Sequence, residues 1–254
     1  MKKINKVSTL ILSIALILVV VGPTATFAAT APVLGVATGY SVFGNAGITE
    51  TPAQNSRLWG NAGGNGFGNA SLIASQVTGT IDAGANAPVV GAISAAYTDM
   101  ADEAQTGAIN LATSPTVTPG VYDVAATAFN STLTLNGAGV YIFRSTSSIA
   151  QTAGGTMSLT GGATACNVFW QIPTSMTFAA AGSIAGTIIT NTGLISFVSG
   201  VNLQGRAWAA TQVTMDNNQI TEPTCAAASR PSTPKMGNIN VVKLVINDSG
   251  RTKT

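Results

Sequence analysis

Val168-Phe-Trp-Gln-Ile-Pro-Thr-Ser-Met-Thr-Phe-Ala-Ala-Ala-Gly-Ser-Ile-Ala-Gly186 and, directly after it, Thr187-Ile-Ile-Thr-Asn-Thr-Gly-Leu-Ile-Ser-Phe-Val-Ser-Gly-Val-Asn-Leu-Gln-Gly205 are two blocks of 19 residues, each ending in glycine. Set one above the other, they place Val168 over Thr187, Met176 over Ile195 and Phe178 over Phe197. Arg206-Ala-Trp-Ala-Ala-Thr-Gln-Val-Thr-Met-Asp216 begins a further block. Val140-Tyr-Ile-Phe-Arg-Ser-Thr-Ser-Ser-Ile-Ala-Gln-Thr152 and Met157-Ser-Leu-Thr160 form an earlier, longer one, whose extra residues fall around Gly161 to Asn167. Each block holds three short strand candidates separated by Gly, Ser or Asn turns. A period near 20 with three strands per period describes a β-solenoid of triangular section. One coil cannot bury its apolar edge. Coils stacked about 4.8 Å apart can pair their backbones with the coils above and below.

The strand candidates sort into three columns. Column one is 140–143, 168–171, 187–190 and 206–209, rich in large apolar residues on both alternating sets. A strand apolar on both sides is covered on both sides. The candidate cover is a helix over about 86–105, the chain's clearest amphipathic stretch. Asn86 can cap it, Pro88 suits its first turn, and Val89, Ile93, Tyr97, Met100 and Ala104 recur at helical spacing. Column two is 149–152, 176–179, 195–198 and 213–216. Alternation puts Ile149, Met176, Phe178, Ile195, Phe197, Val213 and Met215 inside. Ala150, Thr152, Thr177, Ala179, Ser196, Val198, Thr214 and Asp216 then point outward. Column three is 132–135, 157–160, 183–186 and 201–204. Its outward set is Thr132, Thr134, Ser158, Thr160, Ser183, Ala185, Asn202 and Gln204.

Composition agrees with such a core. The chain has 254 residues, 46% of them hydrophobic and only 8% charged, with 28 glycines and no histidine. High hydrophobicity with low net charge is the reverse of a disordered chain. The formal charge of +2 belongs to the two ends. Between residues 30 and 229, Arg57, Arg144 and Arg206 face eight acids, a net charge of −5. Nucleic-acid binding, which needs clustered Lys and Arg, is excluded on that ground. Histidine catalysis and histidine metal sites are excluded outright. Two cysteines cannot complete a zinc site, nothing resembles a calcium loop, and no cofactor is expected.

The ends read differently. Residues 1–28 carry a Lys-rich start, an apolar run from Leu10 to Val21 and small residues up to Ala28, the pattern of a secretory signal cleaved near Ala28 or Ala29. The alternative, an uncleaved membrane anchor, is disfavoured because the run is short for a spanning helix. The mature protein is expected outside the cell, free or attached at a surface. Export makes a disulfide between Cys166 and Cys225 plausible, with two buried thiols as the alternative. Residues 29–225 form the expected solenoid domain. A linker over 226–237 leads to a strand-like tail over 238–254, which resembles the opening strand of the small β-domains repeated in bacterial surface proteins.

Thr118-Pro-Gly-Val-Tyr122, Leu133-Thr-Leu-Asn-Gly137, Val140-Tyr-Ile-Phe143, Ala165-Cys-Asn-Val-Phe-Trp-Gln171, Gly205-Arg-Ala-Trp-Ala209 and Val213-Thr-Met-Asp-Asn217 together resemble the bacterial and fungal ice-binding-like family (the type 1 ice-binding proteins, domain of unknown function 3494), over about residues 33–221. The resemblance implies a mainly β fold: a discontinuous right-handed β-helix with one long helix packed along one face. Residues before the helix supply some coils and residues after it supply the rest. It also implies binding to ice through one flat Thr/Ser/Ala face, antifreeze or recrystallisation-inhibiting activity, and no catalysis.

Column two fits that face best, through Ala150, Thr152, Thr177, Ala179, Ser196 and Thr214, interrupted by Val198 and Asp216. Thr49 and Thr51 are candidates to extend it, although Pro52 to Asn69 matches the family loosely. The expected partner is an ice crystal surface met by a monomer, with no small-molecule substrate. The alternative is a cell-surface structural or adhesion module without ice affinity, attached through a missing C-terminal region. A carbohydrate-active β-helix enzyme would need converging carboxylates. Asp123, Asp216, Glu222, Arg144 and Arg206 are spread over different coils instead.

Overall fold

The computed structural model describes residues 28–51, 55–64, 72–84, 86–125, 128–179 and 181–225. The signal segment up to residue 27, the linker over 226–237 and the tail over 238–254 lie outside them. Residues up to Thr224 form one compact unit and Cys225–Thr254 a second; the fold below is that of the first.

Every strand pairing is parallel. The chain passes repeatedly through three faces. Tyr141–Ser145 lies on face one, Ile149–Gln151 on face two and Thr156–Thr160 on face three, and the next pass returns to face one at Val168–Ile172. Side chains from all three faces, among them Trp170, Ile188, Phe178, Ile195, Leu133 and Leu203, meet in one buried cluster. Period-2 alternation supplies that inner layer.

Two strands, Gly182–Thr190 and Val201–Ala209, run unbroken from face three into face one. They turn at Gly186 and Gly205, the block-ending glycines, which pair with each other across coils. Gly186 has φ +105°, and a Cβ on Gly205 would lie 1.8 Å from the Gly186 carbonyl oxygen. The repeated glycine is a steric requirement of stacked corners.

The coils do not stack in chain order. The N-terminal strand Tyr40–Gly44 pairs with Val201–Ala209, and Asn61–Gly64 and Ile81–Ala83 continue outward from it. The chain resumes at the far end with Gly107–Ile109. Ala83 and Gly107 thus lie on the first and last of nine strands of face one, a climb of eight steps or about 38 Å at about 4.8 Å per step. The helix Ala87–Asp102 covers most of it, its 16 residues supplying about 24 Å.

Its buried residues Val89, Ile93, Ala96 and Met100 pack on Val121, Ile142, Phe169, Ile189, Trp208 and Phe43, the outward residues of face one. Gln171 Nε2 donates to the Tyr97 carbonyl at 2.9 Å. The helix is shorter than the 86–105 expected. Ala96 replaces Tyr97 on its buried stripe, and Ala104 lies exposed beyond its end. Asn86 stands at the N-cap without a capping side-chain bond; its Nδ2 donates to Tyr40 Oη at 2.8 Å.

Two expectations are corrected. First, Phe169, not Val168, pairs with Thr187, so 168–172 sits one residue away from the 19-residue alignment. Face two keeps that alignment, with Met176 beside Ile195. The extra residue is absorbed in the corner Asn191–Thr192–Gly193–Leu194, one longer than Pro173–Thr174–Ser175. A one-residue slip exchanges the two sides of a strand, and apolar residues on both sides of column one hide it. Second, 157–160 and 183–186 are not neighbours in one sheet: Thr156–Thr160 ends a three-stranded sheet. The inserted residues, with a short turn at Ala165–Asn167, follow the strand at this break. Met157 Sδ accepts from the Ala185 amide at 3.4 Å and Trp170 Nε1 donates to the Ala185 carbonyl at 3.0 Å. Ala185, expected outward and exposed, is therefore covered.

Candidate functional site

Face two is continuous. Its six strands run in the order Gly47–Glu50, Gln212–Met215, Ile195–Phe197, Met176–Phe178, Ile149–Gln151, Ala128–Phe129. The register aligns one outward residue per coil: Thr49, Thr214, Ser196, Thr177, Ala150 and Ala128. Five steps of about 4.8 Å make a ladder of about 24 Å. A second ladder, two residues further along each strand, holds Thr51, Asp216, Val198, Ala179 and Thr152. Backbone bonds hold its members: the amides of Thr51, Val198, Ala179 and Thr152 donate to Met215, Phe178, Gln151 and Phe129. The two ladders lie about 6.6–7 Å apart.

The layer beneath keeps them flat. Ile48, Val213, Met215, Ile195, Phe197, Met176, Phe178 and Ile149 are all buried, as alternation requires. Phe178 and Phe197 stack with ring centroids 4.8 Å apart and planes 6° from parallel, at the coil spacing itself. Gln151 continues this inward set. It is fully buried, and its Nε2 donates to the Gly155 carbonyl at 2.7 Å.

The outward side chains hold one another. Thr214 Oγ1 donates to Ser196 Oγ at 2.8 Å, Gln212 Nε2 to Thr49 Oγ1 at 3.1 Å, and Thr51 Oγ1 to Asp216 Oδ1 at 2.7 Å. Thr177, Ser196, Thr214 and Ala150 are half-buried by their ladder neighbours, while Thr152 and Ala179 are exposed. The expected residues are therefore brought onto one face. Asp216 is less disruptive than its charge suggests, because Thr51 engages its carboxylate. Val198, 39% exposed, remains a bulge of apolar surface.

Ala128 and Gln212 escaped the sequence reading. Ala128–Phe129 is only two residues long, too short for periodicity. Thr49 reaches the face through a pairing with a strand near the other end of the chain, which no local pattern announces.

One end of the face is fixed by buried polar groups. Glu50, in the inward position beside Met215, is 7% exposed. Its carboxylate accepts from the Ser56 amide at 2.7 Å and from Gln76 Nε2 at 2.6 Å. Asn218 takes the Asp216 amide on Oδ1 and donates from Nδ2 to the Val198 carbonyl, both at 2.7 Å.

Several other charges hold the frame. Arg206, 3% exposed, pairs with Glu222 at 2.6 Å and donates to the Thr38 carbonyl at 2.8 Å. Arg144 pairs with Asp123 at 2.9 Å. Tyr40 donates to Asp82, and burial, followed by that hydrogen bond, pushes its hydroxyl pKa above the ordinary value. Among the described residues no three metal-ligating side chains cluster. Neither cysteine is a free thiol; Cys166 and Cys225 are both disulfide-bonded.

These features define a class: mainly β proteins of stacked parallel strands, with one helix closing an apolar face and a flat face of small uncharged side chains left open. The family model described as Ice-binding-like matches residues 28–221, and the chain belongs to that family. An "Ice-binding protein" of Flavobacterium frigoris (strain PS1) is 29% identical over 212 residues, covering 75% of this chain and 76% of that protein. Another, of a Colwellia species, is 30% identical over 214 residues, covering 75% and 83%. Among solved structures, an ice binding protein from an Antarctic Biological Consortium superposes with a TM-score of 0.67 at 26% identity, covering 79% of this chain and 95% of that one. The fold is shared also with an ice-binding protein from an Arctic yeast, TM-score 0.67 at 22% identity, covering 78% and 96%.

Proposed function

We propose that the protein binds ice through face two, by Ala150, Thr152, Thr177, Ala179, Ser196 and Thr214, extended by Thr49, Thr51 and Ala128. The observation that carries the reading is the six-coil register of that face. Ice presents a two-dimensional lattice of oxygens. A rigid sheet with repeats of about 4.8 Å and 6.6–7 Å holds methyls and hydroxyls in a lattice of its own. β-Branched Thr has a stiff χ1, so little rotamer freedom is lost on contact. Hydroxyls already bonded to each other along the ladder lose less still. Face three is the poorer platform, since its sheet is interrupted beside Met157.

The three faces close into a right-handed solenoid of triangular section, the form implied by the family's fold. The protein acts without catalysis, as an exported monomer, and any cell-surface attachment runs through the segment after Thr224.

Residues 29–229 are expected to show thermal hysteresis and to inhibit ice recrystallisation. Thr177→Tyr, which puts a ring in the middle of the ladder, is expected to abolish both while leaving the β spectrum and melting temperature unchanged. A folded wild-type protein inactive at micromolar concentration refutes the reading. A fully active Thr177→Tyr moves the contact off face two.

A further inference from the structure

The last turn of the helix carries Asp99 and Asp102, and Glu103 ends it. Carboxylates at a helix C-terminus oppose the helix dipole, whose negative end lies there. Arg144 faces this end from face one. It is already engaged with Asp123 Oδ1 at 2.9 Å and with the carbonyls of Ala101 and Glu103 at 3.1 and 2.9 Å. The partners of Asp99 and Glu103 come from the start of the described chain. The Val33 amide donates to Asp99 Oδ2 at 3.1 Å and the Thr30 amide to Glu103 Oε2 at 3.2 Å, while Ala29 and Leu34 pack against the helix cluster.

We infer that proteolytic processing completes this contact: cleavage between Ala28 and Ala29 creates an α-ammonium that pairs with the Glu103 carboxylate. A signal peptidase adds water across the Ala28–Ala29 C–N bond. Ala28 leaves as a carboxylate, and Ala29 keeps the nitrogen as an ammonium, with no net gain or loss of protons. Cleavage here leaves Thr26 and Ala28 at the two positions that demand small residues, whereas cleavage after Ala29 would place Phe27 there. Consecutive backbone nitrogens lie about 3–3.6 Å apart. The Ala29 ammonium therefore stands beside the Thr30 amide that already donates to Glu103. The uncleaved chain has an uncharged amide at this place. The clamp between the N-terminal segment and the helix gains its charge only on export. The inference rests on the export reading and not on ice affinity.

The test compares the mature chain from Ala29 onward with a free and with an acetylated N-terminus, each with and without Glu103→Gln. An α-amino group raised by a carboxylate partner stabilises the fold below its unfolded value of about 7.7–8.0. That stability is lost as pH rises through the folded value. The free-amine protein should melt about 1–3 °C above the acetylated one at pH 6, and the two should coincide at pH 10. Asp99, Asp102, Asp123 and Arg144, the other charges facing this end, are common to both forms and cancel in the comparison. In Glu103→Gln the difference should vanish. N-terminal sequencing of exported protein should begin at Ala29. Equal melting at pH 6, a difference that survives Glu103→Gln, or another N-terminus overturns the inference. Ice recrystallisation assays on the same samples read the ice-binding proposal separately.

Discussion

Gly205 shows how much of this architecture turns on single atoms. The corner from face three to face one carries no side chain because the next coil's backbone lies where a Cβ would be, 1.8 Å from the Gly186 carbonyl oxygen. Backbone, unlike a flexible side chain, cannot move aside cheaply. Gly205→Ala is expected to cost about 3 kcal/mol or more through forced separation of the coils, read as a lowered denaturation midpoint. The effect should be local to the corner, so the residual folded protein keeps its β spectrum. Gly84, with nothing within 4 Å of its ideal Cβ, is the control: Gly84→Ala should change the midpoint little. The same atomic economy appears at Phe178 and Phe197, whose stacking distance equals the coil spacing and so fixes how close two rungs of the outer ladder stand.

The helix illustrates what an element contributes that its residues alone do not. Face one presents Ile142, Phe169, Ile189 and Trp208 outward, and without a cover they would be a contiguous apolar patch. Met100, fully buried at that contact, tests the point. Met100→Ala should destabilise by about 2–5 kcal/mol in equilibrium denaturation. Ice recrystallisation inhibition per folded molecule should be unchanged, because face two lies on another side. Loss of activity in folded Met100→Ala would mean that the helix, not the ladder, meets the ice.

Legibility of each element in the sequence follows the contrast between its two sides. Face two was readable down to individual residues, since inward Ile, Phe and Met alternate with outward Thr, Ser and Ala. Column one named its own cover but concealed its register, as Trp170 and Phe169 are equally apolar and parity gives no signal. The break in face three was marked only by extra residues around Gly161 to Asn167. Their consequence depends on Met157 and Trp170 capping Ala185, a three-dimensional event. Thr49 could be offered as an extension of face two, but its neighbour Thr214 could not be named from any local pattern.

At the scale of the whole molecule the decisive fact is that the N-terminal strands stack onto the last strands of the chain. Thr51 bonds Asp216 across 165 residues of sequence, and Val42, Phe43 and Gly44 pair with Ala207, Trp208 and Ala209. The coils that follow the helix therefore end, when residues 209 to 221 have formed, on open strand edges that only the N-terminal coils can close. Such edges are templates for association, and contacts of long sequence separation form late and slowly. A chain lacking residues 29–84 should still pair 107–221 internally. It should present the edges of 206–209 and 212–215 to solvent and associate by sedimentation into larger species than the full chain forms. Adding the missing segment in trans as a peptide spanning 29–84 should return it toward the smaller species, since the peptide carries the strands that seal those edges. A truncated chain that stays monomeric and melts like the parent would show that the N-terminal coils are an ornament on the stack rather than its closure.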